Sequence, residues 1–471
     1  MMPRLDLSTF KLIFIVMQVL LLSACQSIWP NYNRPKVDVP LQFSEVADTQ
    51  ESNISSKWWM LYQDQILNDL VSKALQNNTD IKLAVARIEE ADAAMQIVGA
   101  ASFPKVDLDA AATRKRVSEA TSSFQIGDNP RNNYIAQFGT SFELDFWGKL
   151  HRAKESARAQ ALASRYAKDT VALSLSGLVT NNYMVLRSLD SQILISQDSL
   201  KSREDSLALT KHRLAGGVAS ALDMYQAQVA IANLSAQLAE LVKSRAITMH
   251  QLAVLTGTLD LNLAVSDIKS LPIPPTPPAG LPSSLLEVRP DVREAEEQMV
   301  AANANIGIAK AALYPTISLT AALGGESLEL GNILKSAARI WTGGLSLYLP
   351  IFDSGKRSAQ VDQASAKQKQ ALASYEGAIQ SAFREVNDAL VNVRQNTERE
   401  FALNQSQIAA KKALEISSYR YQSGYSAYLD VLDAQRVYND ATLAFVQSRQ
   451  ARLVATVDLF KALGGGWKPS L

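Results

Sequence analysis

The sequence predicts a mainly α-helical protein with a small β part, in which one structural unit occurs twice. Three features of the 471 residues predict this fold class: long stretches without proline, a repeat at a spacing of 207 residues, and four short segments in which apolar and polar residues alternate. The first feature is typical of long helices and the third of β-strands. We therefore expect a long coiled-coil part with an internal twofold repeat, and four strands that belong to a barrel shared between chains.

Composition and charge exclude several classes of function. The 47 Lys and Arg residues nearly balance the 46 Asp and Glu residues, which argues against a protein that binds nucleic acid through excess positive charge. The single cysteine excludes a disulfide framework, and three histidines are too few for a histidine-rich metal site. The sequence contains neither a phosphate loop ending in Gly-Lys-Ser/Thr nor a Gly-x-Ser-x-Gly motif. We therefore expect no enzymatic activity, no metal site and no cofactor other than a covalent lipid.

The first 24 residues have the features of a signal peptide. Arg4 and Lys11 precede an apolar run that, at about 11 residues, is too short to cross a bilayer core. The run closes with Leu22-Ser23-Ala24-Cys25, which resembles the bacterial lipobox; a secretory signal that happens to contain a cysteine is the alternative. In a lipobox the cysteine becomes the first mature residue and carries lipid such as palmitate. Because Gln26 rather than Asp follows, the resemblance to the lipobox implies a lipoprotein that is anchored through Cys25 in the bacterial outer membrane.

Comparison of the sequence with itself divides the chain into two copies. The stretch Arg213–Gln228 recurs as Arg420–Gln435, with Arg, Gly, Leu, Asp, Ala and Gln at the same places. Seven of the 16 prolines lie between 272 and 290, which is typical of a stiff linker. The expected domains are a signal peptide (1–24), an extended N-terminal segment (25–57), copy one (58–260), a proline-rich linker (261–288), copy two (289–465) and a tail (466–471).

Each copy is expected to contain a long helical hairpin, over about 149–257 in copy one and about 356–463 in copy two. Proline is absent between Pro130 and Pro272 and again between Pro350 and Pro469, so long helices are not interrupted there. Leucine or isoleucine recurs every seven residues from 186 to 214, a spacing that indicates a coiled coil.

Four strands are expected, over about 104–113, 134–146, 315–323 and 343–352. Their apolar residues alternate with polar or small ones over about ten positions, which is the pattern of transmembrane barrel strands and also of a soluble sandwich edge. Four strands cannot close a barrel, and open strand edges are not tolerated in lipid. The barrel must therefore be shared, and two, three or four chains satisfy this argument.

Several motifs, in their order and spacing, resemble those of the outer-membrane efflux protein family, the TolC-like outer membrane factors. They are Trp29–Pro35, Trp58-Trp59, Arg289–Val292, Ala301–Gly307 and Pro350–Gly355. The chain looks most like the lipoprotein branch that serves tripartite resistance pumps. The resemblance implies a homotrimer with a twelve-stranded outer-membrane barrel, continued by a helical tunnel through the periplasm.

The implied function is a passive exit duct of a tripartite efflux system for drugs and toxic compounds. Its implied partners are a periplasmic adaptor (membrane fusion) protein and an inner-membrane pump, of the resistance-nodulation-division type. One alternative is the exit duct of a type I protein secretion system, and another is a structural periplasmic coiled-coil lipoprotein without a barrel. The lipobox and the Trp58-Trp59 motif favour drug efflux over protein secretion.

The two hairpin turns are candidate docking sites. Glycine at 217 and 424 suits the left-handed backbone that ends a helix. The resemblance implies that both tips dock the hairpin of the adaptor. The two arginines in the last helical turns suit adaptor contact and the helix dipole equally well. The candidate docking residues are Arg213, Gly217, Val218, Arg420, Gly424 and Tyr425.

The return helices carry the candidate periplasmic gate, which consists of Leu429, Asp430, Asp433 and Asp223. Asp223 and Asp430 occupy equivalent places near the helix starts. On spacing alone, each fits a capping-box residue as well as it fits a gate residue. The resemblance places the constriction of the tunnel here, so that a trimer stacks rings of leucines and carboxylates. Ser426 stands where family members often carry a basic residue, so that basic lock is not expected in this chain.

Overall fold

The computed structural model of the chain describes residues 31–37, 40, 43, 54–118, 120, 129–277 and 285–468. The predicted signal peptide, Cys25 and the Trp29-Pro30 pair lie outside the described residues. Helix accounts for 69% of the structure and strand for 12%, which confirms the mainly α-helical fold class with a small β part. Within the described ranges, no helix combines the length and the apolar character needed to cross a membrane.

The chain forms two compact units, each assembled from separate stretches of sequence. Unit one takes in the described residues within 1–36, 88–164 and 295–375, and unit two takes in the rest. The main helices and strands are α1 (Gln65–Asn77), α2 (Thr79–Ala100), β1 (Lys105–Lys115), β2 (Arg131–Leu144), α3 (Lys149–Ala215), α4 (Ala221–Thr256), α5 (Pro290–Ala311), β3 (Thr316–Ser327), β4 (Arg339–Tyr348), α6 (Lys356–Gln422) and α7 (Tyr428–Ala462).

The two copies repeat one order of elements: a helix, two strands, a long helix and a return helix. The long helices α3 and α6 contain 67 residues each, and the return helices α4 and α7 contain 36 and 35. Helices of this length persist because no proline interrupts them. Local capping fixes other helix starts, as where the Asp64 carboxylate accepts hydrogen bonds from the Ile66 and Leu67 amides.

The four strands form one antiparallel sheet in the order β1-β2-β3-β4, inside unit one. The register places Leu108 opposite Phe138, Phe138 opposite Leu323, and Leu323 opposite Trp341. These four side chains form a continuous apolar row across the sheet, and each is between 60% and 79% exposed. The row beside it, on the opposite face, begins with Asp109 and Gln137. The sheet therefore has an exposed apolar face and a face that carries polar residues.

The strand ends differ from the expected ones most at β3 and β4. Strand β4 covers Arg339–Tyr348 rather than 343–352, because Pro350 has no amide hydrogen to donate and disfavours further pairing. Strand β3 continues to Ser327 because Gly324 and Gly325 still pair with β2 and β4. A side chain at Gly324 would collide with the backbone of Ala136 and Gln137. Two consecutive glycines show no alternation of apolar and polar side chains, so the sequence pattern predicted an end of β3 at about residue 323.

Unit two holds a hydrophobic core around the Trp58-Trp59 motif. The Trp58 ring stacks on Phe460 with a centroid distance of 5.5 Å, and the hydroxyl of Tyr62 lies 2.8 Å from that of Thr456. Both Trp58 and Tyr62 are buried. The motif therefore packs the segment before α1 against the last turns of α7.

A buried ion network holds the segment after α4. The carboxylate of Asp190 in α3 is fully buried and lies 2.8 Å from Arg187 and 2.6 Å from Arg245. It also accepts a hydrogen bond from the Ser266 amide, while the arginines donate to the carbonyls of Ala264 and Leu263. The start of the linker is thus fixed to both helices of the first hairpin.

Candidate functional site

The turns that end the two long helices have the same backbone structure. Gly217 has a φ of +73° and Gly424 a φ of +80°, both in the left-handed region that favours glycine. In copy one the Val218 amide donates to the Arg213 carbonyl at 2.9 Å, and in copy two the Tyr425 amide donates to the Arg420 carbonyl at 2.8 Å. These bonds define a Schellman motif, which closes the C-terminus of each long helix.

Each turn presents an apolar side chain to solvent directly after its glycine. Val218 is 76% exposed and Tyr425 is 78% exposed. The turn backbone holds each side chain in place through the helix-closing hydrogen bonds just described. The two tips therefore offer equivalent small apolar surfaces on ordered backbone.

The two arginines of the tips are in different surroundings. The guanidinium of Arg213 donates to the carbonyls of Tyr421 and Gln422, both at 3.3 Å, and lies 4.6 Å from the centre of the Tyr421 ring. It therefore complements the C-terminal end of the opposite long helix, α6, rather than that of its own helix. The guanidinium of Arg420 is exposed and makes no hydrogen bond or ion pair within the described part of the chain.

The starts of the return helices also differ. In α4 the Ser220 hydroxyl accepts from the Leu222 amide at 2.9 Å, and the Asp223 carboxylate accepts from the Ser220 amide at 3.2 Å, which forms a capping box. In α7 the cap position is Ala427, which has no hydroxyl. The exposed Asp430 carboxylate accepts no hydrogen bond from any residue that the structure describes. Asp223 is thus held at its helix start, whereas Asp430 is not.

Asp433 has a partner that the sequence reasoning missed. Its carboxylate accepts a hydrogen bond from Arg436 at 2.7 Å, and this interaction raises the pKa of the arginine. Arg436 also lies 3.7 Å from Asp440. The i,i+3 and i,i+4 spacing of these charges was the available signal. A cation is therefore present near the candidate gate, about two helical turns after the start of α7.

A groove of about 660 Å³ runs between the two return helices in unit two. On the α4 side its wall is largely apolar, with Leu222, Tyr225 and Val229. On the α7 side it contains Leu429 together with Asp433 and Arg436. Leu429 is exposed, so the candidate gate residues of α7 lie together on an accessible helix face.

Comparison with known proteins assigns this arrangement to a family. The outer membrane efflux protein family matches residues 70–258 and 281–465, which is most of the chain. The chain belongs to the outer membrane efflux protein family. The predicted resemblance is thereby confirmed.

Relatives of this efflux protein match it over nearly their whole length. The probable outer membrane lipoprotein SilC of Salmonella typhimurium is 32% identical over 97% of this chain and 99% of its own. The cation efflux system protein CusC of Escherichia coli is 31% identical over 95% of this chain and 97% of its own. The outer-membrane channel OprN has a similar structure, with a TM-score of 0.88 at 29% identity over 94% of this chain and 100% of that one. The open state of the Neisseria gonorrhoeae MtrE outer membrane channel gives a TM-score of 0.84 at 31% identity, over 94% of this chain and 99% of that one.

These findings confirm the predicted function and location. The efflux protein is an outer-membrane duct of an efflux system, with a long periplasmic helical part. Its family consists of channels and ducts rather than enzymes. The names of the relatives favour efflux over type I protein secretion and over a structural lipoprotein without a channel.

Proposed function

We propose that this protein is the passive, homotrimeric exit duct of a tripartite efflux system for drugs and other toxic compounds. It carries out no chemical reaction, and the energy for transport comes from an inner-membrane pump of the resistance-nodulation-division type. A periplasmic adaptor protein joins the pump to the duct. The observation that carries this proposal is the exposed apolar row across a four-stranded sheet with two open edges.

The open edges support assembly from several subunits. Among the described residues, strands β1 and β4 each have one neighbouring strand, so each leaves one side of its backbone without a strand partner there. In lipid such edges are costly because no water can satisfy their amides and carbonyls. Pairing of β1 of one subunit with β4 of the next satisfies both edges, and three subunits give a closed barrel of twelve strands.

The lipid anchor belongs to the same proposal. Cys25 carries the lipid after removal of residues 1–24, only a few residues before the segment Asn31–Val37. That segment is attached to unit one, because Arg34 donates to Glu296 at 2.7 Å and Arg152 donates to Asn31 at 3.1 Å. Incorporation of radiolabelled palmitate that persists in a Cys25→Ser variant would refute this anchor.

The tips supply the docking surface for the adaptor. Val218 and Tyr425 are exposed on turns that Gly217 and Gly424 keep ordered, so an adaptor hairpin meets two prepared apolar contacts in each subunit. Arg213 supports one of these tips through the carbonyls of α6, and Arg420 lies exposed at the other.

The gate lies on α7 and at the start of α4. Leu429, Asp430 and Asp433 share an exposed helix face, and in a trimer they form stacked rings around the tunnel. Asp223 contributes a carboxylate that its capping box holds in position. Like charges within such rings repel each other when ionised, and Arg436 partly offsets this repulsion through its ion pair with Asp433.

Single-channel recording in planar bilayers tests the proposal. Asp433→Ala removes a ring of carboxylates, so we expect a larger conductance and weaker block by divalent cations than in the wild type. A matched control is Glu240→Ala, which removes another exposed i,i+3 ion pair, with Lys243 at 2.7 Å, on α4. No channel activity in any variant contradicts the duct, whereas equal conductance and equal block in wild type and Asp433→Ala contradict the gate alone.

A further inference from the structure

The two hairpin tips are built alike, yet their arginines are used differently. Arg213 is half-buried, and its guanidinium contacts two carbonyls and an aromatic ring of the other hairpin. Arg420 occupies the equivalent place in an equivalent Schellman motif, but its guanidinium extends into solvent. Arg420 therefore has, among the described residues, no counterpart of the two carbonyls that accept hydrogen bonds from Arg213.

The repeat identifies the acceptors that Arg420 would need. At the spacing of 207 residues, Tyr421 and Gln422 correspond to Leu214 and Ala215, the last two residues of α3. Among the described residues, the Leu214 carbonyl accepts only the Gly217 amide, and the Tyr421 carbonyl likewise accepts the Gly424 amide. Nothing in the described part of the chain donates to the Ala215 carbonyl. These carbonyls carry the negative end of the α3 dipole, to which a cation binds favourably.

We propose that Arg420 donates hydrogen bonds to the carbonyls of Leu214 and Ala215 in a second copy of this chain. Within one chain, the contact joins Arg213 at the tip of copy one to the end of α6 at the tip of copy two. In a closed ring of chains, the tip of copy two also lies beside the tip of copy one of the next chain, where Arg420 can make the equivalent contact. The proposal rests on the trimer of the proposed function, and it gives Arg420 a subunit as its partner rather than the adaptor.

The contact between chains depends on its arginine more than the contact within a chain does. Within the chain, Gln435 of α7 also donates to the Ser206 hydroxyl of α3 at 3.2 Å. At the spacing of 207 residues the equivalent of Gln435 is Gln228, but that of Ser206 is Ala413, which has no hydroxyl. Of these two polar contacts, the repeat therefore preserves only the one made by the arginine.

Cross-linking between differently tagged chains tests the proposal. One chain carries Arg420→Cys and the other Ala215→Cys, and both are expressed together and treated in membranes with a short bis-maleimide. We expect a product of two chains that contains both tags, and its loss when either cysteine is omitted. Lys411→Cys replaces Arg420→Cys as the matched control, because Lys411 is an exposed cation on the same helix, and we expect no doubly tagged product.

The equivalent pair within one chain, Arg213→Cys with Gln422→Cys, verifies the reagent through an internal link found by mass spectrometry. The proposal is overturned if native gels show trimers and the internal link forms, but the doubly tagged product does not. That result would not contradict the proposed trimer. Absence of trimers from wild-type membranes refutes the proposed assembly itself. Arg420→Ala adds a second measurement, because its trimers should dissociate in detergent at a lower temperature than those of wild type or Lys411→Ala, and an unchanged temperature opposes the proposal.

Discussion

Replacing Arg213 by alanine should loosen the contact between the two hairpin tips of one subunit. The substitution removes two hydrogen bonds, to the carbonyls of Tyr421 and Gln422, and the contact with the Tyr421 ring. It leaves the Schellman motif of α3 in place, because that motif uses the backbone of residue 213 and not its side chain. The effect should therefore appear on the α6 side of the contact.

The structure sets the expected size of this effect. Both hydrogen bonds are long, at 3.3 Å, so each contributes about 0.5–1 kcal/mol even though the donor is charged. The ring contact, at 4.6 Å from the centroid and half-buried, contributes about 0.5–1 kcal/mol. The sum is about 2 kcal/mol of local stability, which corresponds to a roughly 30-fold change in an opening equilibrium.

Hydrogen–deuterium exchange measures that equilibrium directly. The Gly424 and Tyr425 amides are hydrogen-bonded in the turn, and the Gly424 amide shares the Tyr421 carbonyl with Arg213. We expect peptides covering these amides to exchange roughly 30-fold faster in Arg213→Ala, and by an intermediate amount in Arg213→Lys. Lys211→Ala, a change at an exposed residue of the same turn, serves as the control. Unchanged exchange at the α6 turn in Arg213→Ala would show that the arginine does not hold the tips together.

Two further predictions concern stability. Asp190→Ala leaves Arg187 buried beside its lost partner and should lower the free energy of unfolding of unit two by about 3–5 kcal/mol, read as a lower denaturation midpoint in urea. Asp388→Ala, which removes an exposed ion pair with Arg384, should change it by less than about 1 kcal/mol, and similar midpoints for both variants contradict the reasoning. Desolvation raises the pKa of Glu294, so the folded protein favours the neutral acid and gains stability as the pH falls through that raised value. Glu294→Gln should therefore melt at a higher temperature than the wild type at pH 8 and at the same temperature near pH 4, and a melting difference that does not depend on pH refutes this account.

The ion pair between Asp433 and Arg436 adds a positive charge to the proposed gate. Ser426 carries no charge, so the sequence did not predict a basic lock beside the candidate gate carboxylates. Arg436 supplies that charge on the same helix as the carboxylate, and both side chains are more than 60% exposed. An ion pair so exposed to water is weakened by salt. The proposed gate should therefore respond to ionic strength through this pair as well as through the repulsion between carboxylates.

Patterns that repeat along the chain were enough to predict the elements of the fold. Uninterrupted helices, alternating strands and the glycines at 217 and 424 follow from the backbone preferences of neighbouring residues, so they can be read without knowledge of the fold. The internal repeat also predicted that the two hairpin tips have equivalent backbone structures. The ends of β3 and β4 were less accurate, because Gly324 and Gly325 pair in the sheet without any apolar alternation to reveal it.

The amino-acid sequence alone determined that the chain has two equivalent hairpins, a strand set too small to close by itself, and acidic residues after each turn. Only the tertiary structure decided which charges meet. Arg213 and Arg420 occupy equivalent places in the repeat, yet among the described residues only Arg213 donates to carbonyls of the other hairpin. Asp223 is held by Ser220, whereas Asp430 follows an alanine cap and remains unengaged within the described residues. The physical reason is that periodicity depends on adjacent residues, while the partner of a charged side chain depends on which helix packs beside it.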